Sequence, residues 1–419
     1  MFLSECLSRD TAGRVAIGGR DILELAREYG TPLYVYDETT LRKRCAEMRG
    51  LLPGRNFRVS YSAKANSNLE LMKIVRSEGL DADAMSPGEI YTQQLAGWES
   101  SQILFIPNNV APEEMRFALD RGIRISVDSL SQLEMLGKLC PGGAVAVRFN
   151  PSKGLGHHEK VVTAGKKTKF GVETAKIPEV KAILAQYNLR LVGVTQHLGS
   201  LVLTKEPYLA GARELLATAQ QFPGLEFIDF GGGFGVPYKE GESRLNLAEL
   251  SAALDGLIAA FLREYENKNV QFRTEPGRYV PAECGILIGR IHSIKENYET
   301  AYIGTDLGFN TLMRPVLYDS YHTVTLAKAN PAQDAQARRY TIVGNICESG
   351  DIIAGDRALP EAEEGDLIVV ETAGAYGYAM TSNYNCRLRP AEVLVQSNGA
   401  ARLIRRRDTL EALVRGSVE

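Results

Sequence analysis

Cysteine, tryptophan and histidine are scarce in this sequence, and long apolar runs are missing. Six cysteines (Cys6, Cys45, Cys140, Cys284, Cys347, Cys386) are scattered over 419 residues with no C-x-x-C pair, so neither a disulfide framework nor a structural zinc site is expected. Of five histidines only His157 and His158 adjoin. Neighbours on a strand or loop point different ways, and among glycines and lysines this pair reads as part of a polar loop, not a chelate; no metal is expected. No stretch approaches the ~18 apolar residues of a membrane helix, and MFLSECLSRD carries Glu and Asp where a signal peptide is apolar. An excess of one charge is also lacking. Lys+Arg 48 against Asp+Glu 51 leaves a net charge of -3, which gives no electrostatic case for nucleic acid or acidic lipid as a partner. The expected setting is the cytoplasm, and the expected partner a small molecule.

What is present is a chain long enough for two or three domains, with β-rich apolar runs in its first two-thirds. FRVSYS (57–62), LDADAM (80–85), QILFI (102–106), IRISVD (123–128), AVAVRF (144–149), LRLVGVTQH (189–197), LEFIDF (225–230) and VQFRTE (270–275) form a series of eight. Stretches of helical periodicity separate them, several closing on Gly as helix C-termini do. Eight strands alternating with helices predict an α/β fold, a closed (β/α)8 TIM-type barrel over residues 30–283, with an open doubly wound sheet as the alternative. After residue 284, GILIGRIHSIKENYETAYIGTD, YTIVGNI, DLIVVETAG, AEVLVQ and ARLIRR read as strands with short connections. They predict a mostly antiparallel β domain over 284–419, to which residues 1–29 belong through RVAIGG as a strand of the same sheet.

Barrel chemistry sits at C-terminal strand ends. In order these carry Lys64, Asp83, Asn108 with Asn109, Asp128, Asn150, His197, Gly231 to Gly233, and Glu275. Lys64 in YSAKANSN follows an apolar strand, where partial desolvation favours a nucleophilic free amine, although a snorkelling lysine reads the same. GGGFG (231–235) lets backbone N–H groups approach a phosphate, or simply makes a tight turn. In EPGRYV (275–280), Glu275 and Arg278 could pair with each other or each hold part of a ligand. A lysine, a glycine nest and an acid around one barrel mouth suggest a phosphorylated aldehyde cofactor.

The ordered motifs TPLYVYD (31–37), YSAKAN, HLGS, GGGFG, EPGR, MRPVLYD, CESGD, GAY and YNCRLRPAEVLV (384–395) resemble those of the fold-type III pyridoxal-phosphate decarboxylases. Within that group the likeness is greatest to the diaminopimelate decarboxylases. The resemblance implies pyridoxal 5'-phosphate held on Lys64, with His197 against one face of its ring and Glu275 at the pyridine nitrogen. It implies that Ser200, Gly232, Gly233 and the backbone around Gly277 bind the phosphate, and that Tyr376 reaches it from a partner subunit. Arg278, Arg314 and Tyr318 match positions that hold the distal end of the substrate. Cys347 and Glu348 match residues entering from a neighbouring subunit, the thiol to reprotonate carbon and the carboxylate to bind the distal ammonium, which implies a homodimer with shared sites. A lone cysteine more often reads as buried core. GHHEKVVTAGKKTKFG (156–171) matches the loop that covers the site, and its Gly and Lys content suits a lid.

The implied reaction is decarboxylation of meso-diaminopimelate to L-lysine, in lysine biosynthesis. Leu201 stands where these enzymes usually have Gln, and Cys386 and Leu388 where Ser and Pro are common. These departures bear on substrate identity more than on reaction type, and the near alternative is a decarboxylase of another amino acid in secondary metabolism. A cofactor-free regulatory homologue is opposed by the presence of Lys64, His197, Glu275 and Cys347 together. A racemase is opposed by Glu275, since racemases of this fold typically place arginine at the pyridine nitrogen.

Overall fold

The computed structural model describes residues 2–151, 164–165, 168–331 and 336–417. Contacts group the chain into two units, one of residues 44–236 and 243–279, the other of residues 1–43, 237–242 and 280–419. Among the described residues no helix is long and apolar enough to cross a membrane.

The first unit contains eight parallel strands in a closed ring: β1 (Phe57–Ser62), β2 (Asp81–Ala84), β3 (Ile103–Phe105), β4 (Arg124–Val127), β5 (Ala144–Asn150), β6 (Arg190–Thr195), β7 (Phe227–Asp229) and β8 (Gln271–Thr274). Each pairs with the next, and β8 returns to β1 through the register Phe272↔Phe57, Arg273↔Arg58 and Thr274↔Val59. Closure removes every sheet edge and settles the choice between barrel and open sheet for the barrel. The helices that follow the strands start where the sequence supplies caps. Ser86 Oγ accepts from the Glu89 N–H at 3.2 Å, with Pro87 opening that helix, and Ser129 Oγ does the same for Gln132 at 3.2 Å. Gly97 closes the Pro87–Ala96 helix in the left-handed conformation, φ 100°.

The second unit is built on the 13-residue strand β9 (Gly285–Asn297). It runs antiparallel to Thr300–Thr305, to Leu367–Val370 and to Leu33–Asp37. Two pairings are parallel: Leu33–Asp37 with Ala391–Val395, and Thr300–Thr305 with Ala337–Val343. The expected boundary at residue 30 puts Leu33–Asp37 on the barrel side, whereas its ladder partners are β9 and Ala391–Val395. All five of its residues are buried, so from sequence it is indistinguishable from a barrel strand. RVAIGG does not enter the large sheet. Val15–Ile17 instead forms a small three-stranded sheet with Leu7–Arg9 and Arg20–Asp21, because Gly18 and Gly19, at φ 53° and 79°, turn the chain straight back. Its Val15 and Ile17 still pack in one core with Leu33, Val35, Ile286, Ile288 and Val369.

Candidate active site

The C-terminal ends of β1, β2, β5, β6 and β8 bring Lys64, Asp83, Arg148, His197 and Glu275 around one cavity at the barrel mouth. Lys64 sits in the 3-10 turn after β1. Its Nζ lies 3.7 Å from Asp83 Oδ2, with the lysine side chain 34% exposed and the aspartate 1%. The amine therefore keeps access to the cavity while one carboxylate holds it in place. Burial raises the Asp83 carboxyl above the usual carboxylate range, and the Lys64 charge only partly opposes this.

Glu275 follows β8 and is 4% exposed. Its Oε1 is buried without a hydrogen-bond partner, and the carboxyl is pushed well above its ordinary range by burial first, then by the negative charges of Asp229 and Asp83. Asp229, at the end of β7, is likewise driven up to about 6 by burial, although its Oδ1 accepts from the Gly231 N–H at 2.9 Å. Three buried carboxyls thus share this end of the barrel with the cations Lys64 and Arg148. Such a set accepts one more positive group next to Glu275, and an orphaned buried acceptor costs about 1–3 kcal/mol until something donates to it. The protonated nitrogen of a pyridine ring meets that requirement.

His197 lines the cavity, and its Nδ1 accepts from the Gly232 backbone N–H at 3.2 Å. Burial, then the charges of Lys64 and Arg148, hold its pKa well below the usual histidine value. The imidazole is therefore neutral, with its proton on Nε2, a flat uncharged face suited to stacking on an aromatic ring. The glycine run beside it has no room for side chains. A Cβ on Gly232 would lie 2.2 Å from the Glu275 carbonyl oxygen and 3.1 Å from His197 Cε1, and one on Gly231, at φ 72°, would lie 2.1 Å from the Gln196 carbonyl oxygen. The GGGFG and HLGS loops are joined through Val202 N–H to Gly233 O at 2.9 Å. This cradle of backbone and small residues fits a phosphate. Ser200 Oγ accepts from Arg278 Nε at 3.1 Å and Nη2 at 2.9 Å. A guanidinium expected at the distal end of the substrate thus stands beside a residue expected at the phosphate. Gly277 lies buried in the bend after β8. Leu201, next to Ser200, takes φ 66°, a conformation uncommon for a residue with a branched side chain.

The remaining expected residues lie in the other unit. Arg314 opens the short helix Arg314–Tyr318 and is 1% exposed, whereas Tyr318 at its end is half-buried. Tyr376 sits in a tight bend at φ 54°. Cys347 is exposed and so is not a core residue. Its N–H donates to Asn385 Oδ1 at 3.0 Å, and Asn385 Nδ2 donates to its Sγ at 3.1 Å. Glu348, also exposed, accepts from the Tyr384 hydroxyl at 2.8 Å. Cys386 is exposed at φ 55° beside Asn385, and nothing in the structure explains Leu388. All six cysteines are free thiols. Among the described residues no cluster of His, Cys, Asp and Glu could hold a metal. His157, His158 and most of the expected lid over 156–171 lie outside the described residues.

Arg148, Asp229 and Asn385 also belong to the site and are not among the residues expected from the sequence. The first two are charges inside the apolar runs AVAVRF and LEFIDF, and that misplacement is the signal that marks them. Asn385 carries none, because its contact with Cys347 spans 38 residues.

The pyridoxal-binding domain of the pyridoxal-dependent decarboxylases matches residues 38–282. Over 415 residues the chain is 43% identical to the diaminopimelate decarboxylase of Methanothermobacter thermautotrophicus, covering 96% of this chain and 95% of that protein. The chain belongs to the diaminopimelate decarboxylase family of pyridoxal-dependent decarboxylases. The Archaeoglobus fulgidus diaminopimelate decarboxylase is 35% identical, over 92% of this chain and 93% of its own. In three dimensions the crystal structure of diaminopimelate decarboxylase from M. jannaschii in complex with L-lysine superposes with a TM-score of 0.91 at 31% identity, covering 100% of this chain and 99% of that one. Members of this family are carboxy-lyases that depend on pyridoxal phosphate, and the cavity just described has the donor set for that cofactor.

Proposed function

We propose that this chain removes carbon dioxide from meso-diaminopimelate and yields L-lysine, using pyridoxal phosphate bound at the barrel mouth. The observation that carries the reading is the juxtaposition of a partly open amine, Lys64, with the buried, partnerless Glu275 Oε1 in one cavity. Lys64 would hold the cofactor's aldehyde and Glu275 its pyridine nitrogen. His197 would cover one ring face, and Ser200 with the backbone of Gly232, Gly233 and Gly277 would hold its phosphate. When bound, the cofactor supplies a sink for the electron pair left as carbon dioxide departs. Glu275 keeps that sink cationic, and Asp83 holds the Lys64 amine beside it.

Diaminopimelate has two carboxylates and lysine one, so the survivor is the carboxylate held away from the reacting carbon. Arg314 and Arg278, with Tyr318, are the groups for it, since guanidinium forks match carboxylates. Arg278, bonded to Ser200, lends its charge to the phosphate cradle too. Cys347 delivers the proton to carbon, and the N–H donated by Asn385 to its sulfur stabilises the thiolate that remains. Glu348 takes the distal ammonium.

In the chain alone Cys347 and Glu348 lie on the surface in water, a poor setting for a controlled protonation. This supports a homodimer in which they, and Tyr376, complete the site of a second copy. Mixing inactive Lys64→Ala and Cys347→Ser enzymes in equal amounts should therefore restore roughly a quarter of wild-type activity, as random pairing gives one intact site in half the dimers. A mixture that stays inactive contradicts shared sites. Cytoplasmic residence belongs to the same reading, in keeping with six free thiols.

Carbon dioxide release, measured with pyridoxal phosphate and a panel of meso-diaminopimelate, ornithine, lysine, arginine and glutamate derivatives, tests the substrate. The expected result is turnover of meso-diaminopimelate at a kcat/KM at least about 10²-fold above every other compound, with L-lysine as product. Preference for another amino acid overturns the specificity and leaves the cofactor chemistry standing.

A further inference from the structure

The segment MRPVLYDSYH (313–322) contains more than the two residues already assigned. Its helix, Arg314–Tyr318, ends at Asp319 in the left-handed conformation, φ 50°. The chain there folds back so that the Ser320 N–H donates to the Arg314 carbonyl at 3.4 Å. That reversal brings the side chains of Ser320 and His322 to the Arg314 guanidinium. Arg314 Nη1 is 2.7 Å from His322 Nε2, and Nη2 donates to Ser320 Oγ at 3.3 Å. The guanidinium also lies over the Tyr238 ring at 4.5 Å, and the same ring meets the His322 imidazole edge to face at 5.1 Å and 85°.

The protonation of His322 follows from its partners. Its Nδ1 is 2.9 Å from the carbonyl oxygen of Glu371, which can only accept, and a guanidinium can only donate. The ring is therefore neutral, with its hydrogen on Nδ1 and its lone pair on Nε2 directed at Arg314. Sheet pairing fixes the ring from behind. The Glu371 N–H donates to Thr323 O at 2.9 Å, extending the ladder in which Val324 faces Val370. His322 is 0%, Arg314 1% and Ser320 8% exposed, and in such a setting hydrogen bonds to a charged donor are short and directional. Neither His322, Ser320 nor the Tyr238 ring carries a negative charge. They orient the guanidinium without themselves bringing an opposite charge to it.

We propose that His322 is a positioning residue for substrate recognition, holding Arg314 in the orientation in which its guanidinium receives the carboxylate that survives in the product. This rests on the reading of Arg314 as a substrate residue given above. The same contact confers selectivity, because it acts on ligands that carry the distal carboxylate and leaves others alone.

The test uses holoenzyme variants His322→Asn, which keeps a donor toward Glu371 O and loses the acceptor facing Arg314, and His322→Gln, whose longer amide places an acceptor near the Nε2 position. For His322→Asn, KM for meso-diaminopimelate and the inhibition constant of L-lysine should rise together by about tenfold or more, the worth of a charged hydrogen bond. kcat should stay within about threefold, and inhibition by 1,5-diaminopentane, which has no carboxylate, should not change. His322→Gln should return both constants to within about threefold of wild type. Should His322→Asn not fold, His322→Leu reads the same constants. Arg314→Ala separates the two levels of inference. If it weakens L-lysine binding while the His322 variant that folds does not, the positioning role is wrong and the reading of Arg314 stands. If Arg314→Ala leaves L-lysine binding intact, the reading of Arg314 fails and the positioning role falls with it. A rise in the constant for 1,5-diaminopentane equal to that for L-lysine also overturns the proposal, because it marks a general disturbance of the fold.

Discussion

Lys64→Ala enzyme should show no measurable decarboxylation, with kcat down on the order of 10⁴-fold or more, the scale lost when a nucleophile acting as a unit with its site is removed. Local structure supports that role. β1 delivers it to a 3-10 turn at the cavity, and Asp83 at 3.7 Å fixes the amine without closing it off. Because the side chain is one-third exposed and the turn is held by the backbone bond from Ser62 N–H to Pro276 O at 3.2 Å, alanine should fold normally. The melting temperature should move by no more than a few degrees, as about 1 kcal/mol does. The check is the pair of measurements together: carbon dioxide release and thermal unfolding on the same preparation. Normal turnover by this variant would remove Lys64 from the mechanism.

Glu275→Gln is the second large effect, and its signature differs. The amide keeps the volume and burial of the side chain, so the barrel should stay intact. It removes the negative charge that makes a protonated pyridine nitrogen favourable, and an amide can as readily donate to an unprotonated nitrogen. kcat should fall about 10²–10³-fold, the cost of losing one preorganised electrostatic partner at a developing charge. Covalent loading of Lys64 should persist, since the amine lies on a different strand end. Loss of activity with loading retained is the result to look for in parallel absorbance and turnover measurements. Unchanged kcat would mean that the buried carboxylate serves only the fold.

Asp229 offers a refinement of the same point. The Asp229 charge raises the Glu275 carboxyl, and the Asp83 charge raises both. Negative charge gathered beside Glu275 favours a positively charged ring there. Strand order brings these acids together, β7 and β8 being neighbours through Asp229↔Arg273.

The barrel is legible in the sequence because eight β-rich runs alternate with capped helical stretches; seven of the observed strands fall within those runs, and β5 runs one residue past its own, to Asn150. Lys64, His197, the glycine run and Glu275 were visible because each interrupts an apolar strand at its C-terminal end. Other features could not be read. Leu33–Asp37 is as apolar as any barrel strand, and only its ladder partners place it beside β9. RVAIGG looks like a sheet strand until the two glycines that reverse it are given their positive φ values. Asp229 and Arg148 are marked only as charges misplaced inside runs that otherwise read as strand interior. His322 meets Arg314 only because Asp319 turns the chain back, a contact across 8 residues that neither helical nor strand periodicity predicts.

One amine at the mouth of one barrel is the centre of the proposed chemistry. Purified protein supplied with saturating pyridoxal phosphate, reduced with borohydride, digested and weighed by mass spectrometry should carry the phosphopyridoxyl group on the peptide containing Lys64, at about one group per chain. Protein that takes up none of it, or carries it on a lysine elsewhere, would contradict the account at its centre.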